Sequence, residues 1–321
     1  MNHSLAQSTT STYMSGVSSY WRFCGSMGIC SFPITEASLC YFVTAEANRR
    51  ISYCTIKVYL FGVLHQNILL GYDHSLSHFP ILFRTLRGIR RVQGNSLRRK
   101  PRIPITVQHM TTIINFIRSA NMPFVDKLMY MAAIHTAFYG LLRVSEYTSP
   151  TQTRYDSTLH LLRCDVSFNL QRTIMFLRLK GSKTDPFRIG TVIRISAIPT
   201  LFCPTRSMLA YLRYLPIDNL PLFRFSDGRL LTRKHINQLL KNALPNLNEI
   251  SSHSFRIGGA SAALSAGASD ALIKILGRWS SDCYIRYLRV SDDLIGKFQR
   301  AMAKVTSTTS TWDPCNRILN S

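Results

Sequence analysis

Apolar residues in the first ninety positions recur every three or four places. Tyr13, Val17 and Tyr20 lie at that spacing and are followed by Phe23 and Cys24, the pattern of an amphipathic helix. Thr35, with Leu39, Phe42 and Val43, starts a second helix just after Pro33. Residues 55–70 read as a third, stopped by Gly71 at its C′ position. Residues 79–92 read as a fourth, with Leu82, Phe83, Leu86 and Ile89 facing inward. No period-two stretch interrupts them, so residues 1–92 are expected to form a small all-helical domain.

Gly94, Pro101 and Pro104 mark a linker over 93–104. Beyond it, Thr106 is placed to N-cap a helix reaching about Ser119. Residues 124–147 read as one long, very apolar helix, central to a second core. The period then shifts: 163–168, 173–180 and 187–196 read as three short strands rich in Ile, Val, Phe and Leu. The tip between the last two is Gly181-Ser182-Lys183-Thr184-Asp185-Pro186. Helices return over 204–215, 232–244, 254–265, 269–277, 281–289 and 292–304, and the Ser/Thr-rich tail 306–321 reads as frayed. The expected fold is mainly α, of the α+β kind: a helical module, a linker, and a larger helical domain (105–305) carrying one small three-stranded antiparallel sheet.

Composition sharpens this. The 321 residues, about two domains' worth, are 46% apolar, enough to bury a real core. Lys and Arg number 39 against 16 Asp and Glu, so the net charge is 39 − 16 = +23. Acids are scarce, so most cations lack an internal partner and await an external polyanion, nucleic acid before an anionic membrane. No window approaches the roughly 18 apolar residues of a membrane span. The start, Ser/Thr-rich and without an apolar core, shows no secretory signal. The 8 cysteines form no C-x-x-C pair and the 9 histidines no H-E-x-x-H, so reduced, buried thiols and no metal or other cofactor are expected.

Arg84, Arg87, Arg90, Arg91, Arg98, Arg99, Lys100 and Arg102 form an acid-free run across the linker. A charge run is ordinarily a solvated face; eight bases without an acid at a domain junction point instead to phosphate contact. Arg98-Arg99-Lys100 could also serve nuclear import, which would place the protein of a eukaryotic host in the nucleus.

Five further features bear on chemistry, each with a plainer alternative. Arg143, in Gly140-Leu141-Leu142-Arg143-Val144-Ser145-Glu146, ends a nearly charge-free stretch and must find an anion, either a ligand or Glu146 at i+3. Lys180 and Lys183 sit at the hairpin tip, where lysines ordinarily serve solubility. His253 and Arg256 share a face at i, i+3 as a small-residue helix opens, its N-terminus suited to an anion; a capping His with an exposed Arg is the alternative. Trp279, in Gly277-Arg278-Trp279, has a donor-only indole but is as readily a core aromatic. Tyr287 lies between Arg286 and Arg289, where a phenolate nucleophile would be stabilised, although most of the 14 tyrosines are structural. Together and in this order, in a protein of charge +23, they match what metal-free phosphoryl transfer on DNA needs. Two guanidiniums clamp the non-bridging oxygens, a lysine protonates the leaving oxygen and a tyrosine attacks.

The ordered set — Gly140 to Glu146, Lys183, His253-x-x-Arg256, Leu276-Gly277-Arg278-Trp279 and Tyr287 — resembles the tyrosine recombinases of the phage integrase family over roughly 10–305. Leu86-Arg87-Gly88-Ile89-Arg90-Arg91, Pro101-Arg102-Ile103-Pro104-Ile105-Thr106 and the His253–Gly259 stretch further resemble the branch found in eukaryotic mobile elements, such as DIRS-like retrotransposons and Cryptons. The resemblance implies a four-helix, SAM-like core-binding domain followed by a catalytic domain, clamped about double-stranded DNA. It implies site-specific strand cleavage and rejoining through a 3′-phosphotyrosine at Tyr287, in the recombination or integration of a mobile element, without metal or ATP. Arg143 and Arg256 would hold the phosphate, Lys183 or its rival Lys180 would be the general acid, and His253 would take the tyrosine proton. Glu146 would orient nearby basic groups. Trp279 would fill the slot where many members carry a second histidine, with Arg278 the competing occupant. A homotetramer on two DNA sites would form, the 291–305 segment docking on a neighbour through Leu294, Ile295, Phe298 and Met302, or else packing on its own domain. Competing readings are an inactive DNA-binding derivative of such an element, a type IB topoisomerase, and a basic RNA-binding protein of ribosomal type.

Overall fold

The computed structural model describes residues 5, 7–72, 79–94, 100–181, 185, 187–290 and 292–307. The chain divides into two compact units, Met1–Lys100 and Pro101–Ser321.

The first unit holds four helices, α1 (Gln7–Met27), α2 (Glu36–Asn48), α3 (Tyr53–Leu69) and α4 (Pro80–Gln93). Their starts are chemically specified. Thr35 and Ser38 form a reciprocal capping box on α2, and Ser52 caps α3. No side chain at Phe79 caps α4; Glu36 does so from across the unit, its carboxylate accepting from the amides of Ile81 (2.6 Å) and Leu82 (3.0 Å). The inward faces meet in a core of Tyr20, Leu39, Phe42, Ile56, Val63, Leu82 and Leu86, with Tyr20 edge-on to Phe42 at 5.1 Å. Phe83, expected inward, is 50% exposed, because α4's apolar stripe is the narrow one of Leu82, Leu86 and Ile89.

The second unit is built around α6 (Phe124–Tyr139), buried along almost its whole length, with α5 (Val107–Ser119), α8 (Pro204–Leu212), α9 (Arg233–Ala243) and α10 (Ser254–Ser265) around it. Thr106 caps α5 through the amide of His109. A sheet of order β1-β2-β3 (Val166–Phe168, Ile174–Leu179, Thr191–Ser196) is antiparallel throughout. Met175, Leu177 and Leu179 alternate into the core. α11 (Asp270–Gly277), a 3-10 helix (Asp282–Tyr287) and α12 (Asp292–Ser307) complete it. No described helix is long and apolar enough to cross a membrane.

Four expectations are corrected. The helix expected over 124–147 ends at Tyr139, because Leu141 is left-handed (φ 46°) and the carbonyls of Gly140 and Leu141 turn to receive arginine side chains; a short α7 (Val144–Tyr147) follows. The segment 163–165 is a 3-10 turn rather than strand, closed by the Asp165 carboxylate on the Leu162 amide (2.8 Å). The third strand starts at Thr191 rather than 187, because the Asp185 carboxylate accepts from the Ile189 (3.2 Å) and Gly190 (2.8 Å) amides and holds 187–190 in a turn. The helix expected over 281–289 is the shorter 3-10 segment, whose end is tied to α10: the Ser261 hydroxyl donates to the Tyr287 carbonyl (3.2 Å) and accepts from the Arg289 amide (3.1 Å). The thiols also differ from expectation. Cys24 and Cys203 are buried, but Cys30, Cys54, Cys164 and Cys283 are exposed; Cys315 lies outside the described residues.

α10 lies close enough to its neighbours that only glycine fits at two consecutive positions. A Cβ on Gly258 would collide with the Ile105 carbonyl, and one on Gly259 with that of Phe138. Gly25, inside α1, has nothing within 4 Å of the same position. Substitution to alanine should therefore have opposite signs. Gly258→Ala is expected to cost about 1–3 kcal/mol in chemical denaturation, as overpacking does. Gly25→Ala is expected to stabilise by up to about 1 kcal/mol through helix propensity.

Candidate active site

The left-handed Leu141 closes the end of α6, with the Leu141 amide donating to the Phe138 carbonyl (3.2 Å) and the Leu142 amide to that of Ala137 (3.0 Å), and leaves the Gly140 and Leu141 carbonyls outside the helix. Two arginines from later in the chain use the carbonyls this exposes. Arg256, three residues into α10, is fully buried, with Nη1 donating to the Leu141 carbonyl and Nη2 to that of Gly277. Arg278 donates from Nη1 to the Gly140 carbonyl (3.0 Å) and from Nη2 to Leu141 (3.2 Å) and to Glu146 Oε2 (2.8 Å). Glu146 in turn binds Arg143 twice, accepting from its Nη1 at 3.0 Å and its backbone amide at 2.8 Å. Two guanidiniums, those of Arg143 and Arg278, thus pair with one buried carboxylate, and Arg256 lies beside them on the Leu141 carbonyl, a local charge of 3 − 1 = +2. Burial, and then Arg143, lowers the Arg256 pKa to about 9, and burial lowers that of Arg278. Both stay protonated at neutral pH in a pocket that favours an anion.

Aromatic rings enclose this cluster. The Arg256 guanidinium lies 4.3 Å from the Trp279 ring centre and 5.8 Å from that of Tyr287. Trp279 is buried, with its ring 5.2 Å from that of Tyr287. Tyr287, half-buried at the end of the 3-10 helix, also meets the His253 ring edge-on at 5.1 Å. His253 sits where α10 begins. Its pKa falls to about 4, first through burial and then through Arg102, Arg256, Arg233 and Arg143. The imidazole is therefore neutral at pH 7 and able to accept a proton.

Arg143, His253, Arg256, Trp279, Tyr287, Glu146 and Arg278 therefore converge, although they span 143 to 287. Both occupants weighed for one slot are present in different parts of it: Trp279 covers Arg256, whereas Arg278 faces Glu146. Lys180 is not at a hairpin tip. It follows β2 and is bound, with Nζ 2.8 Å from Asp165 Oδ2 and 2.8 Å from the Ser157 carbonyl. Lys183 lies outside the described residues. The base of its hairpin, at Leu179, Gly181, Asp185 and Gly190, lines a cavity of about 390 Å³ together with Arg278 and Trp279.

Of the basic run, Arg84, Arg87, Arg90 and Arg91 are exposed on α4, with Arg90 5.8 Å from the Tyr53 ring centre; Arg98 and Arg99 lie outside the described residues. Lys100 ends the first unit. Arg102, read as a linker residue, belongs to the second unit and donates to the Ser251 hydroxyl, two residues from His253. The neighbouring chain is fixed by Ile105 N to the Ser254 carbonyl (3.0 Å). Arg102 and Arg233, at the first turn of α9, thus join the field around His253. Nothing in the local sequence of Arg102 signals it, because its contact with Ser251 joins segments 149 residues apart.

No family model matches this chain, and no curated protein does. Solved structures do. A lambda integrase dimer bound to a COC′ core site aligns with 14% identity over 89% of this chain and 90% of that one, with a TM-score of 0.58. The XerH site-specific recombinase bound to difH in a pre-cleavage complex aligns with 13% identity over 90% and 78%, with a TM-score of 0.55. The Tn1549 transposon integrase in complex with transposon right end DNA aligns with 14% identity over 92% and 99%, with a TM-score of 0.54. At such identities the likeness is one of architecture, and the mostly helical chain with its small three-stranded sheet has the fold of the tyrosine recombinases.

Proposed function

We propose that this protein cuts and rejoins duplex DNA through a covalent tyrosine–phosphate intermediate, in the recombination or integration of a mobile element. The observation that carries the reading is the cluster itself: a phenol and a neutral imidazole beside a buried guanidinium, within a site of charge +2. In the reaction the Tyr287 oxygen attacks phosphorus and His253 takes its proton. The bond to the 5′ oxygen breaks, and that oxygen leaves as a hydroxyl after gaining a proton. A 3′-phosphotyrosine remains, so the energy of the broken bond is retained for rejoining. Arg143 and Arg256 bind the non-bridging oxygens. A phosphodiester carries one negative charge and its five-coordinate transition state about two, so a +2 site complements the transition state better than the ground state.

The general acid is assigned to Lys183, since Lys180 is engaged by Asp165 and by a backbone carbonyl. The arginines of α4 and the linker supply phosphate contacts away from the cut. Four protomers on two DNA sites fit α12, whose Ile295, Phe298 and Met302 are exposed at helical spacing.

Three outcomes test this. With a nicked suicide duplex in EDTA, the protein is expected to form a covalent adduct on a denaturing gel, lost in Tyr287→Phe; an adduct that persists in that variant overturns the nucleophile. Relaxation of any plasmid without a preferred site would favour a topoisomerase. His253 has a folded pKa near 4 and an ordinary one near 6.5, so its neutral form persists as pH falls through 6.5 and is lost only towards 4. Adduct formation at subsaturating DNA, which reports the free protein, should therefore stay flat through pH 6.5 and fall only towards pH 4; a midpoint at 6.5 or above contradicts the assignment. Finally, if about ten phosphates are neutralised, duplex affinity should fall with salt at a log–log slope near −9, and a slope shallower than about −3 argues against extensive phosphate contact.

A further inference from the structure

We infer that Arg278 is a positioning residue that sets both phosphate-binding arginines from behind, rather than a ligand of the phosphate. The inference rests on the reaction proposed above and concerns how its site is assembled.

Arg278 occupies a backbone position unsuited to it. It caps α11 in the left-handed region (φ 54°), where glycine or asparagine is usual and another residue is strained. A side chain kept there needs compensation, and the three hydrogen bonds to Gly140, Leu141 and Glu146 supply it. These use three of a guanidinium's five N–H groups, and a fourth, on Nε, is buried without a partner. One Nη N–H of Arg278 is left to meet a ligand, against two of Arg256.

The three acceptors are those on which the other two arginines depend. The Leu141 carbonyl also receives Arg256 Nη1, so Arg256 and Arg278 are held side by side on one oxygen. Glu146 also receives the Arg143 side chain and amide, so the carboxylate is shared between Arg143 and Arg278. Without Arg278, Glu146 would have Arg143 alone as its cationic partner and could draw that guanidinium away from an incoming phosphate. The left-handed turn at Leu141 would also lose one of the two donors on its carbonyl. Lysine cannot replace this function: it is a point charge on a flexible stem and cannot reach three acceptors that diverge around a planar fork.

The roles are thus divided at adjacent residues. Trp279 faces the Arg256 guanidinium and the Tyr287 ring, while Arg278 meets Arg256 at the Leu141 carbonyl and is otherwise bound to Gly140 and Glu146.

The test is single-turnover cleavage of the suicide duplex at saturating protein, with duplex affinity measured in parallel, for Arg278→Lys, Glu146→Gln and the double variant. Arg278→Lys is expected to lower the cleavage rate on the order of 100-fold, the scale of a misplaced catalytic group, while duplex affinity changes less than about threefold. Because the two residues share the Arg278–Glu146 contact, the double variant should be slowed by less than the product of the two single losses. A residue supporting only the fold would lower thermal stability without this separation of rate from affinity. Arg278→Lys cleaving at the wild-type rate overturns the inference, as do losses that multiply in the double variant. Should Arg278→Lys fail to fold, the nearly isosteric Glu146→Gln decides: an unchanged rate rejects the shared carboxylate as the link. A wild-type protein that forms no adduct overturns the reaction and this inference together, whereas a normal adduct with unaffected variants overturns the inference alone.

Discussion

The carbonyl oxygen of Leu141 is the point on which this site depends. A helix that continued past Tyr139 would have used it internally. Because the chain turns left-handed there, the oxygen accepts from Arg256 and Arg278 instead. This joins the end of α6, the start of α10 and the end of α11, three segments whose only common feature in sequence is a glycine nearby. Trp279 and Tyr287 then have a cation to pack against, and His253, one turn before Arg256, is brought to the tyrosine.

The scarcity of acidic residues takes on a local meaning in this arrangement. Burying one guanidinium without a partner is costly, and burying two beside a third costs more. The protein places one carboxylate, Glu146, and a few backbone carbonyls there and stops. Had the cluster been neutralised completely, it would have no attraction for a phosphate. Burial first, and the neighbouring arginines second, leave Arg256 with a depressed pKa and His253 neutral. The site is held short of neutrality, which suits it to an anion.

Much of this was legible from residue order. Capping at Thr35 and Thr106, the apolar stripe of Leu82, Leu86 and Ile89, and the period-two strands are local signals, and local physics forms them. What was not legible is non-local. The left-handed turn at Leu141 has no glycine to announce it, since Gly140 precedes it with φ −84°. Its own hydrogen bonds are local, but the arginines that use its carbonyls lie more than a hundred residues later. The pairing of Lys180 with Asp165, and that of Arg102 with Ser251, likewise join segments that carry no marker of their meeting. The hairpin tip with Lys183 remains an expectation from sequence.

The most direct test is to locate the bond itself. The covalent complex with a nicked duplex, digested by nuclease and protease, can be read by tandem mass spectrometry for the residue that bears a nucleotide. The account predicts a 3′-linked nucleotide on the Tyr287 oxygen and none on Tyr284, with the released strand ending in a 5′ hydroxyl. A nucleotide on any other side chain, or a released strand ending in a 5′ phosphate, would contradict it.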